Sequence, residues 1–180
     1  MENTTEKAIR YLKDLHAAES GTADIFEGLS KDGDLEADLR SSAASWYQHT
    51  QAHQSAIQQR LHALGSDNSG AKDFVNNVLS KASDLLNIGH DDEDKLTQDL
   101  IKAYASVSLN VGAYESLRAF ASVAGDQDLA SFAQQGRSDD ENLAKDVLKA
   151  IGRKAPSAIQ NATDSGATTG VPSTGTAAGY

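Results

Sequence analysis

Glu19 and His53 are the two side chains whose type and placement in this sequence point most directly to chemistry. Glu19 falls on a stripe, Ile9, Leu12, His16, Glu19, Ala23 and Phe26, that advances by three and four residues and so marks the buried face of a helix. A carboxylate there costs several kcal/mol to desolvate unless a cation, a metal ion or hydrogen bonds compensate it. His53 falls on a second such stripe, with Trp46, Thr50, Ile57 and Leu61. A carboxylate and an imidazole at the same depth of a helical bundle could hold a metal ion together, or could pair with each other and fix helix register. His16 lies one turn before Glu19, and His49 one turn before His53. Either could add a ligand to a mononuclear site, and His16 is kept in the candidate set; otherwise both are surface or structural residues.

Positioning these groups requires long helices packed on one another. The first is expected over residues 3–30, opened by Asn3 as N-cap with Glu6 as its capping-box partner. The turn at 30–34 ends it and offers Asp34 as the next N-cap. A second helix then runs to Leu64, where Gly65 stops it. A shorter amphipathic helix at about 71–88 follows, then a third long helix from about 95 to 124 with Leu100, Val107, Asn110, Tyr114 and Leu117 along its seam. The fourth, about 127–151, is capped by Asp126 and carries Leu129, Phe132, Asp140, Leu143 and Val147. Each long helix therefore has a polar residue in mid-seam. Asp139, Asp140 and Glu141 form an acidic run, with Asp140 the one nearest the seam. Tyr104 and Tyr114 read as core aromatics with hydrogen-bonded hydroxyls.

Bulk properties narrow the function classes. The chain has 180 residues and a formal charge of −10, against the clustered Lys and Arg that a nucleic-acid surface needs. Without cysteine, thiolate metal sites, disulfides and thiol nucleophiles are excluded. No run approaches the ~18 apolar residues of a membrane span, and the charged N-terminus has no apolar core of a signal peptide. The expectation is a cytoplasmic protein without membrane or nucleic-acid partners. No nucleotide-binding loop, nucleophile elbow or His-Glu-x-x-His motif is present. Composition shifts sharply from Ala155, where Gly, Ser, Thr and Ala take over. Residues 1–152 are read as a helical bundle and 153–180 as a low-complexity, flexible tail.

Three segments carry a family resemblance: Tyr11 to Glu19, His49 to Gly65, and Tyr114 to Ala121. In order and spacing they resemble the YciE/YciF-like stress-protein branch of the ferritin-like superfamily over roughly residues 5–152. The resemblance implies an all-α, ferritin-like four-helix bundle with a short extra helix between the second and third long helices. It also implies a dimetal centre, usually di-iron, built from a Glu on each of two helices and a Glu-x-x-His on each of the others. Glu19 matches the first glutamate and His53 the second-helix histidine. Thr50 and Asn110 stand where two further glutamates belong, and the fourth-helix motif falls on Arg137 to Glu141, where Asp140 could substitute.

The metal-site candidates are therefore Glu19, His53, Asp140 and His16, with iron or manganese as the ion if one is bound. The expected function is a stress- or metal-associated bundle with a degenerate dimetal site, binding one metal weakly or none and acting through assembly or partner contacts. One alternative is an oxidase or ferroxidase with a non-standard mononuclear or di-iron ligand set. Another is an interaction module that docks a protein partner through residues 155–180. A homo-oligomer is compatible with either.

Overall fold

The computed structural model describes residues 3–66 and 95–166. They form four long helices: α1 (Thr4–Lys31), α2 (Ala37–Ala63), α3 (Lys95–Ala124) and α4 (Gln127–Gly166). The expected short helix at 71–88 and the residues beyond 166 lie outside the described residues.

Local chemistry sets the helix ends. The Asn3 side chain accepts from the Glu6 amide at 2.8 Å, and the Glu6 carboxylate accepts from the Asn3 amide at 2.9 Å, which completes the expected capping box. At the start of α2, Glu36 and not Asp34 occupies the N-cap, without a side-chain capping bond. The Asp34 amide is instead used in the turn, donating to Asp32 Oδ1. Gly65 and Gly125, with φ of 73° and 77°, take the left-handed conformation that ends α2 and α3. Ser66 N then donates to Leu61 O, and Asp126 N to Ala121 O, both at 2.9 Å. Asp126 turns the chain at once, its carboxylate capping α4 through the Leu129 amide. α4 continues past the expected stop near residue 151 to Gly166, with Pro156 inside its span.

α1 packs on α2, α3 on α4, and α1 on α3, whereas α2 and α4 meet at only a few residues. α1 runs antiparallel to α3: Glu19 lies at the level of Tyr114, and Thr22 at that of Ser106 and Asn110. Lys95 accordingly starts α3 beside the end of α1, 3.9 Å from Asp32. α2 and α3 thus run in the same direction.

The core has two apolar layers. One gathers Phe26, Leu39, Trp46, Leu100, Val107 and Val147; the other Leu12, Leu15, Ile57, Leu61, Leu117 and Leu129. Between them lies a buried polar layer of Glu19, Thr22, Thr50, Ser106, Asn110 and Asp140, with exposures of 0–1%. No described helix is long and apolar enough to cross a membrane.

Candidate metal centre

Three helices bring ligand-type side chains to one point in the polar layer. From α1, Glu19 Oε1 is hydrogen-bonded to His53 Nδ1 on α2 at 2.9 Å. From α4, Asp140 Oδ1 lies 3.5 Å from the same nitrogen and 3.4 Å from His49 Nε2, without a hydrogen bond to either. His49 and His53 face the same way because they are four residues apart on α2, their ring centroids 4.3 Å apart. Among the described residues, His49, His53 and Asp140 form a group whose ligand atoms all lie within 4.8 Å of one another. The α3 contribution is Tyr114, whose hydroxyl is 3.1 Å from His53 Nδ1.

Hydrogen bonding is badly incomplete here. Glu19 Oε2, both Asp140 oxygens and His49 Nε2 are buried without a partner. Buried polar atoms are nearly always paired, because each one left unpaired costs roughly 1–3 kcal/mol and more when charged. Several acceptors converge on one place with too few donors among them, which is the arrangement a cation satisfies. The spacing agrees: donor atoms sharing an ion through bonds of about 2.1 Å stand roughly 3–3.5 Å apart. Two imidazoles and two carboxylates suit iron, manganese or zinc. The outer nitrogen of His53 faces Asp139 at 3.8 Å, on the side where a ligand histidine commonly meets a carboxylate.

Burial pushes Glu19 up to about 8 and Asp140 up to about 7, the negative charge of Glu19 adding to the shift of Asp140. Both carboxyls exceed their ordinary values of 4.5 and 3.8, so between those values and 7–8 the folded, metal-free protein binds more protons than the unfolded chain. Its stability is present at low pH and is lost as pH rises through that window. Melts in chelator should show a midpoint lower by on the order of 5 °C at about pH 8.5 than at about pH 5. A metal ion displaces the same protons, so its affinity should rise over the window and oppose the loss. Equal midpoints at the two pH values would contradict this.

Among the described residues, the polar layer holds no carboxylate besides Glu19 and Asp140. Thr50 turns its hydroxyl back onto Trp46 O at 2.8 Å. Asn110 donates to Thr22 at 3.1 Å, and Thr22 bonds Ser106 at 2.6 Å. This neutral cluster has no carboxylate to bridge two ions.

Glu19, His53 and Asp140 thus meet, whereas His16, half-buried on α1, is outside the three-residue ligand group. Sequence reasoning set His49 aside, although its four-residue spacing from His53 carried the signal. The Asp139–Glu141 run splits because consecutive helical residues point about 100° apart. Asp139 accepts from Gln135, Glu141 pairs with Arg137, and only Asp140 turns inward.

A known domain family, described as a domain of unknown function (DUF892), matches residues 4–160. The chain belongs to the DUF892 family. Several proteins of known structure share its bundle at low identity. A Xanthomonas campestris protein superposes with a TM-score of 0.73 at 17% identity, over 89% of this chain and 99% of that one. A Bacillus anthracis protein, described as a ferritin-like, diiron-carboxylate protein, does so with a TM-score of 0.66 at 14% identity, over 84% and 99%. A Rhodopseudomonas palustris protein named YcfI gives 0.68 at 17% identity, over 82% and 94%. A search of curated proteins returns no match. At these identities the likeness establishes a ferritin-like helical bundle for this DUF892 chain, and the centre has to be argued from its own residues.

Proposed function

We propose that this DUF892 protein binds one transition-metal ion, iron or manganese, at Glu19, His49, His53 and Asp140, in what remains of a dimetal site. It then acts through assembly or partner contacts, as a member of the YciE/YciF-like stress-protein branch in the cytoplasm. The bundle of residues 1–152 is the working unit in this reading, with 153–180 as an appended segment for a partner. Asp140 carries the proposal, because it is wholly buried, has no hydrogen bond to either oxygen, and faces two imidazoles. The neutral Thr22–Ser106–Asn110 cluster supports one ion over two.

Metal analysis of protein purified without chelators, after growth with iron and manganese, tests this. About one ion per chain is expected, lost in Glu19→Ala and His53→Ala. A metal-free wild type that also takes up no iron, manganese or zinc in titration would sink it.

A second reading, a mononuclear iron oxidase, is favoured by the two-histidine, one-carboxylate composition of His49, His53 and Asp140. Iron in such a set supplies one-electron and oxygen chemistry. The protein's part would be to hold the ion on three side chains and to shield it behind Glu19 and Tyr114. Oxygen uptake by the iron-loaded protein, absent from Asp140→Asn, would support this reading; no uptake with iron bound rejects it.

A further inference from the structure

Tyr114 reaches the centre through a feature that works against helix stability. On α4, a Cβ at Gly136 would lie 2.3 and 2.4 Å from Cε1 and Cζ of the Tyr114 ring, far inside van der Waals contact. Glycine is unfavourable in a helix interior, so this slot is a cost the fold carries to seat one aromatic ring. The ring stands edge-on to His53, at 81° with centroids 5.6 Å apart, and is 1% exposed.

The hydroxyl so placed faces Glu19 as well as His53 and has one proton to donate between them. It lies 3.1 Å from His53 Nδ1, which is already 2.9 Å from Glu19 Oε1. One imidazole nitrogen carries either a proton or a lone pair, so it cannot satisfy both neighbours in their ordinary states. Glu19 Oε2 and both Asp140 oxygens remain unpaired. The phenolic oxygen is one more donor atom at a point where donor atoms converge.

Resting on the reading of this cluster as a metal centre, we propose that Tyr114 is itself a ligand, giving its phenolic oxygen to the ion and biasing the site toward ferric over divalent metals. Charge balance supports this. Glu19, Asp140 and a phenolate carry three negative charges beside two neutral imidazoles, and a trivalent ion leaves the buried site neutral. A divalent ion reaches neutrality only while the phenol keeps its proton. On ferric binding the phenol O–H breaks, an O–Fe bond forms, the proton leaves to water, and no electron is transferred. Without the ion, burial first and the neighbouring carboxylates second oppose that ionisation, and a triply charged cation counters both.

The test adds ferric nitrilotriacetate to the metal-free full chain. A visible phenolate-to-iron charge-transfer band is expected, saturating at about one iron per chain. Tyr114→Phe, which preserves the packing, should remove the band and weaken ferric binding about tenfold or more, with manganese and zinc affinities changed about threefold or less. Tyr104→Phe, on the same helix but in the other apolar layer, should keep the band. Circular dichroism melts establish that both variants are folded. Iron bound by wild type without a phenolate band, or a band that survives in Tyr114→Phe, overturns the ligand assignment while leaving the metal centre standing. Failure to bind ferric iron, manganese and zinc alike overturns both.

Discussion

Asp140→Asn is expected to make the metal-free protein more stable at about pH 8 and, in the same molecule, to weaken metal binding by about 100-fold or more. The opposite signs have one cause. Asp140 is completely buried, and neither of its oxygens receives a hydrogen bond. Burial and the nearby Glu19 push its carboxyl up to about 7, so at about pH 8 the folded state must either ionise a buried acid or hold its proton against the solvent. A neutral amide of the same shape has neither cost. The gain should be about 1–3 kcal/mol, read as a rise of several degrees in the melting midpoint in chelator. The amide oxygen is a poor ligand, so the rise that iron or manganese gives wild type should vanish. A variant that is less stable without metal would show that Asp140 serves the fold and not an ion.

Glu19→Gln should behave alike in direction. Glu19 differs in having one satisfied oxygen, Oε1, which is hydrogen-bonded to His53. Its replacement keeps an acceptor for His53 but turns a charge-assisted hydrogen bond into a weaker neutral one as it removes the charge, so the stability gain should be smaller than at Asp140. A larger gain at Glu19 would mean that Asp140 has a donor partner in solution.

The frame was legible in sequence because each long helix keeps its apolar seam and states its ends locally. Asn3 with Glu6, Gly65, Gly125 and Asp126 all perform the roles their types announce. Asp34 misled because the turn uses its own amide for Asp32, moving the helix start to Ala37. Glu19, His53 and Asp140 could be named because a polar group on an apolar stripe is conspicuous. His49 could not be ranked by the same logic. It sits at the edge of its stripe with its side chain 32% exposed, and only the shallow approach of α2 to α4 turns that edge position toward Asp140. The demand that Tyr114 makes on Gly136 joins two helices and has no periodic signature, so no single-helix pattern could reveal it.

Gly136 gives the other large effect, and it separates a steric requirement from ordinary helix propensity. Alanine improves an exposed helix interior by roughly 0.5–1 kcal/mol over glycine. Gly112 is exposed on α3, and a Cβ added there would meet nothing within 4 Å, so Gly112→Ala should show that gain as a small rise in the melting midpoint. Gly136→Ala should go the other way. Its methyl group would collide with the Tyr114 ring, whose neighbours His53 and Phe132 leave it little room to retreat. Overpacking of this kind costs about 1–3 kcal/mol, enough to outweigh the propensity gain and lower the midpoint by roughly 3–6 °C. The double variant Gly136→Ala with Tyr114→Ala discriminates the cause, because removing the ring removes the collision. If the collision is the reason, Gly136→Ala becomes neutral or stabilising in the Tyr114→Ala background, a coupling that distant or independent effects would not produce. A penalty that persists without the ring would place the demand for glycine in the α4 backbone and detach it from the metal centre.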